Sequence, residues 1–193
     1  MLKRISACVF RTYDWCYLRY YRLNRENARA GNLILFHLVR HSGDAVMLTD
    51  GTRVERGDPI VVIHVNKLQA REMQKLAGHS TFAGVKMRAD FRNSLRLLAL
   101  KIRDNPIYRE VRAIKGNTIH GPEARYFGFD ARPEIDMETL KHRLGLANAR
   151  TLIATVREAR AEKSRAVDLK NRTLWTIWMS QKTLMSRYPP PTV

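Results

Sequence analysis

Asp50-Gly51-Thr52-Arg53-Val54-Glu55-Arg56-Gly57-Asp58-Pro59-Ile60-Val61-Val62-Ile63-His64-Val65-Asn66 is the stretch on which the fold turns. It contains two turn signals, Asp50-Gly51 and Gly57-Asp58-Pro59, followed by the most apolar run of the chain. From Ile60 onward both alternating sets are apolar, Ile60 and Val62 on one side, Val61, Ile63 and Val65 on the other. A strand of that kind is covered on both faces and central in its sheet. Proline is tolerated there only as the first residue, where Pro59 stands. The run stops at His64 and Asn66, so an imidazole and a carboxamide sit at a strand end, a natural place for a site. The stretch as a whole predicts the central hairpin of the fold.

Toward the N-terminus, residues 45–48 form a short strand facing the Asp50-Gly51 turn. Residues 33–41 are rich in strand formers. They contain an H-x-x-x-H pair, His37 and His41. On a helix such a pair chelates a metal; on a strand the two lie roughly 13 Å apart, which excludes it. Toward the C-terminus, Asn66 caps a short helix over 67–76, and 78–84 is a loop. Met87, Phe91, Leu95, Leu98 and Ile102 then mark a long helix ending before Asn105-Pro106. A strand over 111–115 leads to a polar corner, 116–122, between glycine breaks. A helical turn over 123–127, an extended piece over 129–133 and a helix over 136–144 follow. Residues 148–168 form a charged segment with a weak apolar stripe. A last strand, 173–179, carries Trp178 into the core, and Ser180 caps a final helix over 181–188. Strands first and alternation afterwards predict a single α+β domain with a mixed, mostly antiparallel sheet and flanking helices.

The chain has 193 residues, and its 45% hydrophobic content suffices for one real core. A formal net charge of +17, spread along the whole chain, calls for an anionic partner: acidic lipid, an anionic glycan or nucleic acid. Within residues 1–26, Ile5, Val9, Tyr13, Cys16, Tyr20 and Leu23 recur on one helical face. Arg4, Arg11, Arg22 and Arg25 lie opposite, with aromatics on the flanks. This is the pattern of an interfacial helix, and those arginines are candidate membrane or anion contacts. Cys8 and Cys16, about 12 Å apart on such a helix, are too distant for a disulfide, and free thiols fit a reducing compartment. With no signal-peptide cleavage site and no run of ~18 apolar residues, the expected location is cytoplasmic, peripheral at the inner membrane face.

Several blocks carry a family resemblance: D-G-T-x-V-x-x-G-D-P-I-V-V-I-H-V-N (50–66), NSLRLLA (93–99), AIKGNTIH (113–120), ARYFGF (124–129) and WMS (178–180) leading to Tyr188-Pro189. In this order the chain resembles the YkoP-like domains, which occur alone or at the C-terminus of bacterial polysaccharide deacetylases. The resemblance implies an accessory role in envelope polysaccharide or lipid-glycan metabolism and assigns no reaction. The deacetylase metal motif has no counterpart in this chain, so that activity is not carried over. Lipoyl- and biotinyl-type domains spell their turns similarly, but the Asp50-Gly51 tip lacks their lysine.

The candidate ligand set is Asp58, His64, Asn66, Thr118 and His120. Were the strands beginning near Ile60 and Val111 neighbours, their ends would bring His64 to Thr118 and His120. Such a corner binds a phosphate or sugar hydroxyl, and its imidazoles titrate near neutral pH. Three readings follow: a glycan- or lipid-binding accessory protein, a nucleic-acid-binding protein using its basic surface, or an enzyme at His64/His120 acting on a phosphorylated or glycan substrate. No metal site, cofactor motif, G-x-S-x-G nucleophile or nucleic-acid-binding motif is present in the sequence.

Overall fold

The computed structural model describes residues 19, 28–66, 81–118, 121–135 and 174–190. The expected N-terminal helix with its cysteines and with Arg4, Arg11, Arg22 and Arg25, the short helix over 67–76, His120, and the segment 136–168 lie outside the described residues.

Eight strands are described: β1 (Arg29–Ala30), β2 (Ile34–Arg40), β3 (Val46–Met47), β4 (Arg53–Val54), β5 (Pro59–Val65), β6 (Ala113–Thr118), β7 (Asp130–Ile135) and β8 (Leu174–Ser180). Three helices accompany them: α1 (Thr81–Asp104), α2 (Gly121–Ala124) and α3 (Gln181–Arg187). Six strands form one sheet in the order β1-β2-β5-β6-β8-β7, while β3 and β4 pair only with each other. All neighbours run antiparallel except β5 and β6, which are parallel. This is the expected α+β fold with a mixed, mostly antiparallel sheet.

A parallel pair cannot be joined by a tight turn and needs a crossover. The segment containing α1 supplies it. Leu95, Leu98, Ala99 and Ile102 of α1 meet Ile34, Phe36, Val61, Ile63, Ile114, Ile177 and Met179 of the sheet in one buried cluster. Leu184 of α3 and Tyr188 close the same cluster. Helix α1 starts within the predicted loop 78–84, because one glycine, Gly84, is a tolerable cost inside a long packed helix. It stops as predicted, where Asn105 accepts from the Ile107 amide at 3.1 Å and Pro106 opens a 3₁₀ turn.

The opposite face carries the β3–β4 ribbon as a lid. Leu48 and Val54 cover Ile60, Ala113 and Trp178 in a second buried cluster. Asp50-Gly51 does turn this hairpin, with Gly51 at φ 81, but β5 is not one of its arms. The central-hairpin expectation is corrected accordingly: a second turn, with Gly57 at φ 94, swings β5 into the main sheet between β2 and β6. There His41 and Asp58 join the two strand ends through backbone hydrogen bonds of 2.8 Å (His41 N–H to Asp58 C=O) and 2.7 Å (Gly57 N–H to His41 C=O). Likewise, 116–118 belongs to β6 rather than to a polar corner, because it continues pairing with β8 as far as Thr118↔Trp175. The corner itself is close-packed: a side chain at Gly121 would enter the Trp175 ring.

The lid is tied down by side chains remote in sequence. Thr49 donates to Asp130 through its amide (2.7 Å) and its hydroxyl (2.6 Å). Arg132 donates to the Met47 carbonyl. Asp50 accepts from the hydroxyls of Ser180 and Thr183, the latter at 2.8 Å, and from the Thr52 amide at 3.0 Å. Ser180 in turn caps α3 by accepting from the Thr183 amide at 2.8 Å, the role its position predicted. Desolvation pushes the Asp50 carboxyl up, but the hydrogen bonds from Ser180, Thr52 and Thr183 together outweigh it and hold the pKa at about 2.

A carboxylate with a depressed folded-state pKa stabilises above its unfolded value of 3.8 and loses that contribution as pH falls through about 2. Asp50→Asn therefore lowers unfolding free energy at neutral pH by about 1 kcal/mol, solvent exposure keeping the loss small. In urea titrations the gap between wild type and variant closes over that acid window.

Candidate functional site

The lid covers only part of its face, and strand register gives the layout of the rest. One row across the sheet is His37, Val62, Lys115, Trp178 and Asp130. The next row, farther from the lid, contains Leu35 opposite His64, and Asn117, Thr176 and Arg132 on the other strands. Beyond the lid, then, five polar or charged side chains of four strands share one side, His37, His64, Lys115, Asn117 and Thr176, while Arg132 of β7 reaches the Met47 carbonyl of the lid.

Alternation explains how each arrives there. In Ile114-Lys115-Gly116-Asn117, the apolar positions face α1 and the polar ones face away. Gly116 is held small by its contact with Ile63 and Ile177, since a Cβ there would come within 2.9 Å of the Ile63 side chain. The two imidazoles are diagonal neighbours across β2 and β5. Their rings stack at 5.1 Å between centroids, 5° from parallel, and His64 Nε2 lies 3.3 Å from His37 Nδ1. One ring donates and the other accepts, so at least one is neutral at that contact. Burial holds the His37 pKa below its ordinary 6.5. The Lys115 ammonium leans over the Trp178 ring, 5.0 Å from its centroid. The Thr176 hydroxyl donates to the Asn117 carbonyl oxygen at 3.3 Å, which turns the Asn117 amide N–H groups outward from that contact.

Of the five sequence-predicted site residues, His120 lies outside the described residues, and the other four do not form one group. Strands β5 and β6 are neighbours, as supposed, yet Thr118 and His64 point to opposite faces of the sheet. Val61 pairs with Ile114 and Val62 with Lys115, so Thr118 shares the helix-covered side with Ile114, while His64 shares the other with Lys115. Asp58 precedes β5, about 20 Å from His64 at the usual rise of a strand. Its carboxylate accepts from the Glu55 amide at 2.8 Å and closes the turn. Asn66 stays beside His64, and its amide N–H donates to the Leu33 carbonyl at 2.8 Å. His41 is spent on structure: it is buried, edge-on to Trp178 at 5.3 Å, with Nε2 2.8 Å from the Asp44 carbonyl.

In sequence His37 is paired only with His41, and Lys115, Asn117, Thr176 and Arg132 belong to no motif. The alternation of 114–117 was a readable signal for one facing. Its partners became known only with the strand order.

A profile of the YkoP domain family matches residues 3–188. The chain belongs to the YkoP domain family. It is similar to the uncharacterized protein YkoP of Bacillus subtilis (strain 168), at 24% identity over 130 residues that cover 67% of this chain and 70% of that protein. No solved structure matches. Among the described residues of this YkoP domain, no three His, Cys, Asp or Glu side chains come together as a metal site, and no helix is long and apolar enough to cross a membrane.

Burial of the His37 imidazole makes the domain sensitive to mild acid. A histidine whose folded pKa is depressed contributes stability above the unfolded value of 6.5, and this is lost as pH falls through the lower folded value. The urea midpoint of the wild type falls as pH is lowered from 7 to 5, and His37→Gln flattens that dependence.

Proposed function

We propose that this YkoP domain is a binding module that holds an anionic ligand, a phosphorylated or acidic glycan or its lipid-linked form, on the part of its sheet beyond the lid. The observation that carries this reading is the meeting of the His37–His64 pair with Lys115 on one side of β2, β5 and β6. An ammonium on the same side of the sheet as two imidazoles favours negative charge. Asn117, whose side-chain oxygen accepts from the buried Thr176 hydroxyl, adds neutral amide N–H groups of the kind sugar hydroxyls require. Trp178, under Lys115, provides an apolar floor at the edge of the lid.

Binding is favoured over catalysis by the nature of the group. Asp130, the carboxylate in its row, stands at the far end on β7 and is engaged by Thr49. The envelope setting rests on the resemblance to domains joined to bacterial polysaccharide deacetylases. A cytoplasmic protein serving that metabolism would meet sugar phosphates and lipid-linked sugars at the inner membrane face.

Glucose 6-phosphate, inorganic phosphate and glucose serve as probes in an NMR titration followed on the imidazole C–H resonances. The sugar phosphate shifts the His37 and His64 signals at millimolar concentration, phosphate does so more weakly, and glucose leaves them in place. Lys115→Ala weakens the sugar phosphate by about tenfold, the loss of one charge-assisted hydrogen bond. Silent imidazole signals with all three probes would reject the reading.

A further inference from the structure

The helical side of the sheet carries a second cationic feature. Arg88, Arg92 and Arg96 recur every fourth residue along α1 and are exposed. They form a row spanning about 12 Å. Like charges at this spacing repel and destabilise a helix. Among the described residues no carboxylate forms an ion pair with any of the three: Asp104 is taken by Arg103 at 2.6 Å, and Asp90 on the flank of the row is not within ion-pair distance.

Arg187 of α3 extends the row sideways. Its guanidinium donates to the Tyr126 carbonyl at 2.7 Å, beside a Tyr126 side chain that is 75% exposed. The buried Tyr188 phenol reports the convergence: desolvation raises its pKa, while Arg187, Arg92 and Arg96 all pull it down. The first described turns of α1 add two exposed apolar side chains, Val85 (62%) and Met87 (42%).

We propose that Arg88, Arg92, Arg96 and Arg187, with Tyr126, dock the protein on a bilayer surface containing acidic phospholipid. Guanidinium groups pair with lipid phosphates, and an exposed tyrosine and short apolar side chains suit the headgroup layer. A nucleic-acid backbone would use the charges but leave Val85 and Met87 in water. Docked this way, α1 lies against the membrane and the His37–Lys115 side of the sheet points away from it. The row stands on the other side of the sheet from that face, so either can fail without the other.

The test is co-flotation of the full chain with vesicles of phosphatidylcholine alone or mixed with phosphatidylglycerol. Wild type floats with the acidic vesicles only. Arg92→Glu/Arg96→Glu lowers partitioning at least tenfold, on the scale of about a fivefold gain per basic residue at an acidic surface. Arg92→Lys/Arg96→Lys retains most of it, and Tyr126→Ala weakens it with unchanged thermal unfolding. His64→Ala floats like wild type, which separates docking from ligand binding. Undiminished flotation of the Glu variant overturns the proposal. So does a wild type that ignores acidic vesicles yet retains RNA or DNA through the same two arginines in filter binding.

Discussion

The parallel pairing of β5 with β6 is the constraint on which the structure depends. It is the one parallel contact in a sheet whose other neighbours run antiparallel. Its geometry forbids a hairpin and obliges the chain to leave the sheet, cross one face and return. Helix α1 is part of that crossing, and its apolar stripe of Leu95, Leu98, Ala99 and Ile102 makes the crossing favourable by burying Val61, Ile63 and Ile114. The same register aligns Val62 with Lys115, and so fixes which polar residues share the far face with His64.

The two faces are then treated differently. The α1 and α3 face is closed by apolar packing. On the other, the described residues place a two-stranded ribbon held through Thr49–Asp130, Asp50–Ser180 and Arg132–Met47 contacts. Since these anchors join β3–β4 to β7, β8 and α3, the lid is fastened at the β8 side of the sheet, and the His37–His64 side lies farther along the strands. A polar set thus remains beyond the lid without breaking the core beneath it. Buried Leu35 and Thr176 floor that set, and His37, His64 and Lys115 are half-buried within it.

This YkoP domain carries imidazoles, an ammonium and an amide on a sheet face, and guanidinium groups on the opposite, helical side. Lys115 on one side and Arg88, Arg92, Arg96 and Arg187 on the other are five of the 35 Lys and Arg residues of the chain, whose charge is otherwise spread along the sequence. The groups that neighbour the positive charge differ between the two sides. Hydrogen-bonding amide and hydroxyl accompany one; exposed tyrosine and aliphatic side chains accompany the other.

The run Ile60–Ile63 by itself determined a central strand, because no other element tolerates apolar residues on both sides of a period-two pattern. The 3.6-residue spacing from Met87 to Ile102 determined α1, and Ser180 its helix cap, since each of these signals is local. The Asp50-Gly51 turn was likewise legible, but not that its carboxylate binds a helix start 130 residues away. Local pattern fixes which way a side chain faces within a strand and is silent about which strand lies next to it. For that reason His64 was read together with Thr118, which shares its strand end but faces the other side, and not with His37, its diagonal neighbour across β2 and β5. Tertiary structure alone decided that pairing, because register between strands distant in sequence is set by the burial of whole faces at once.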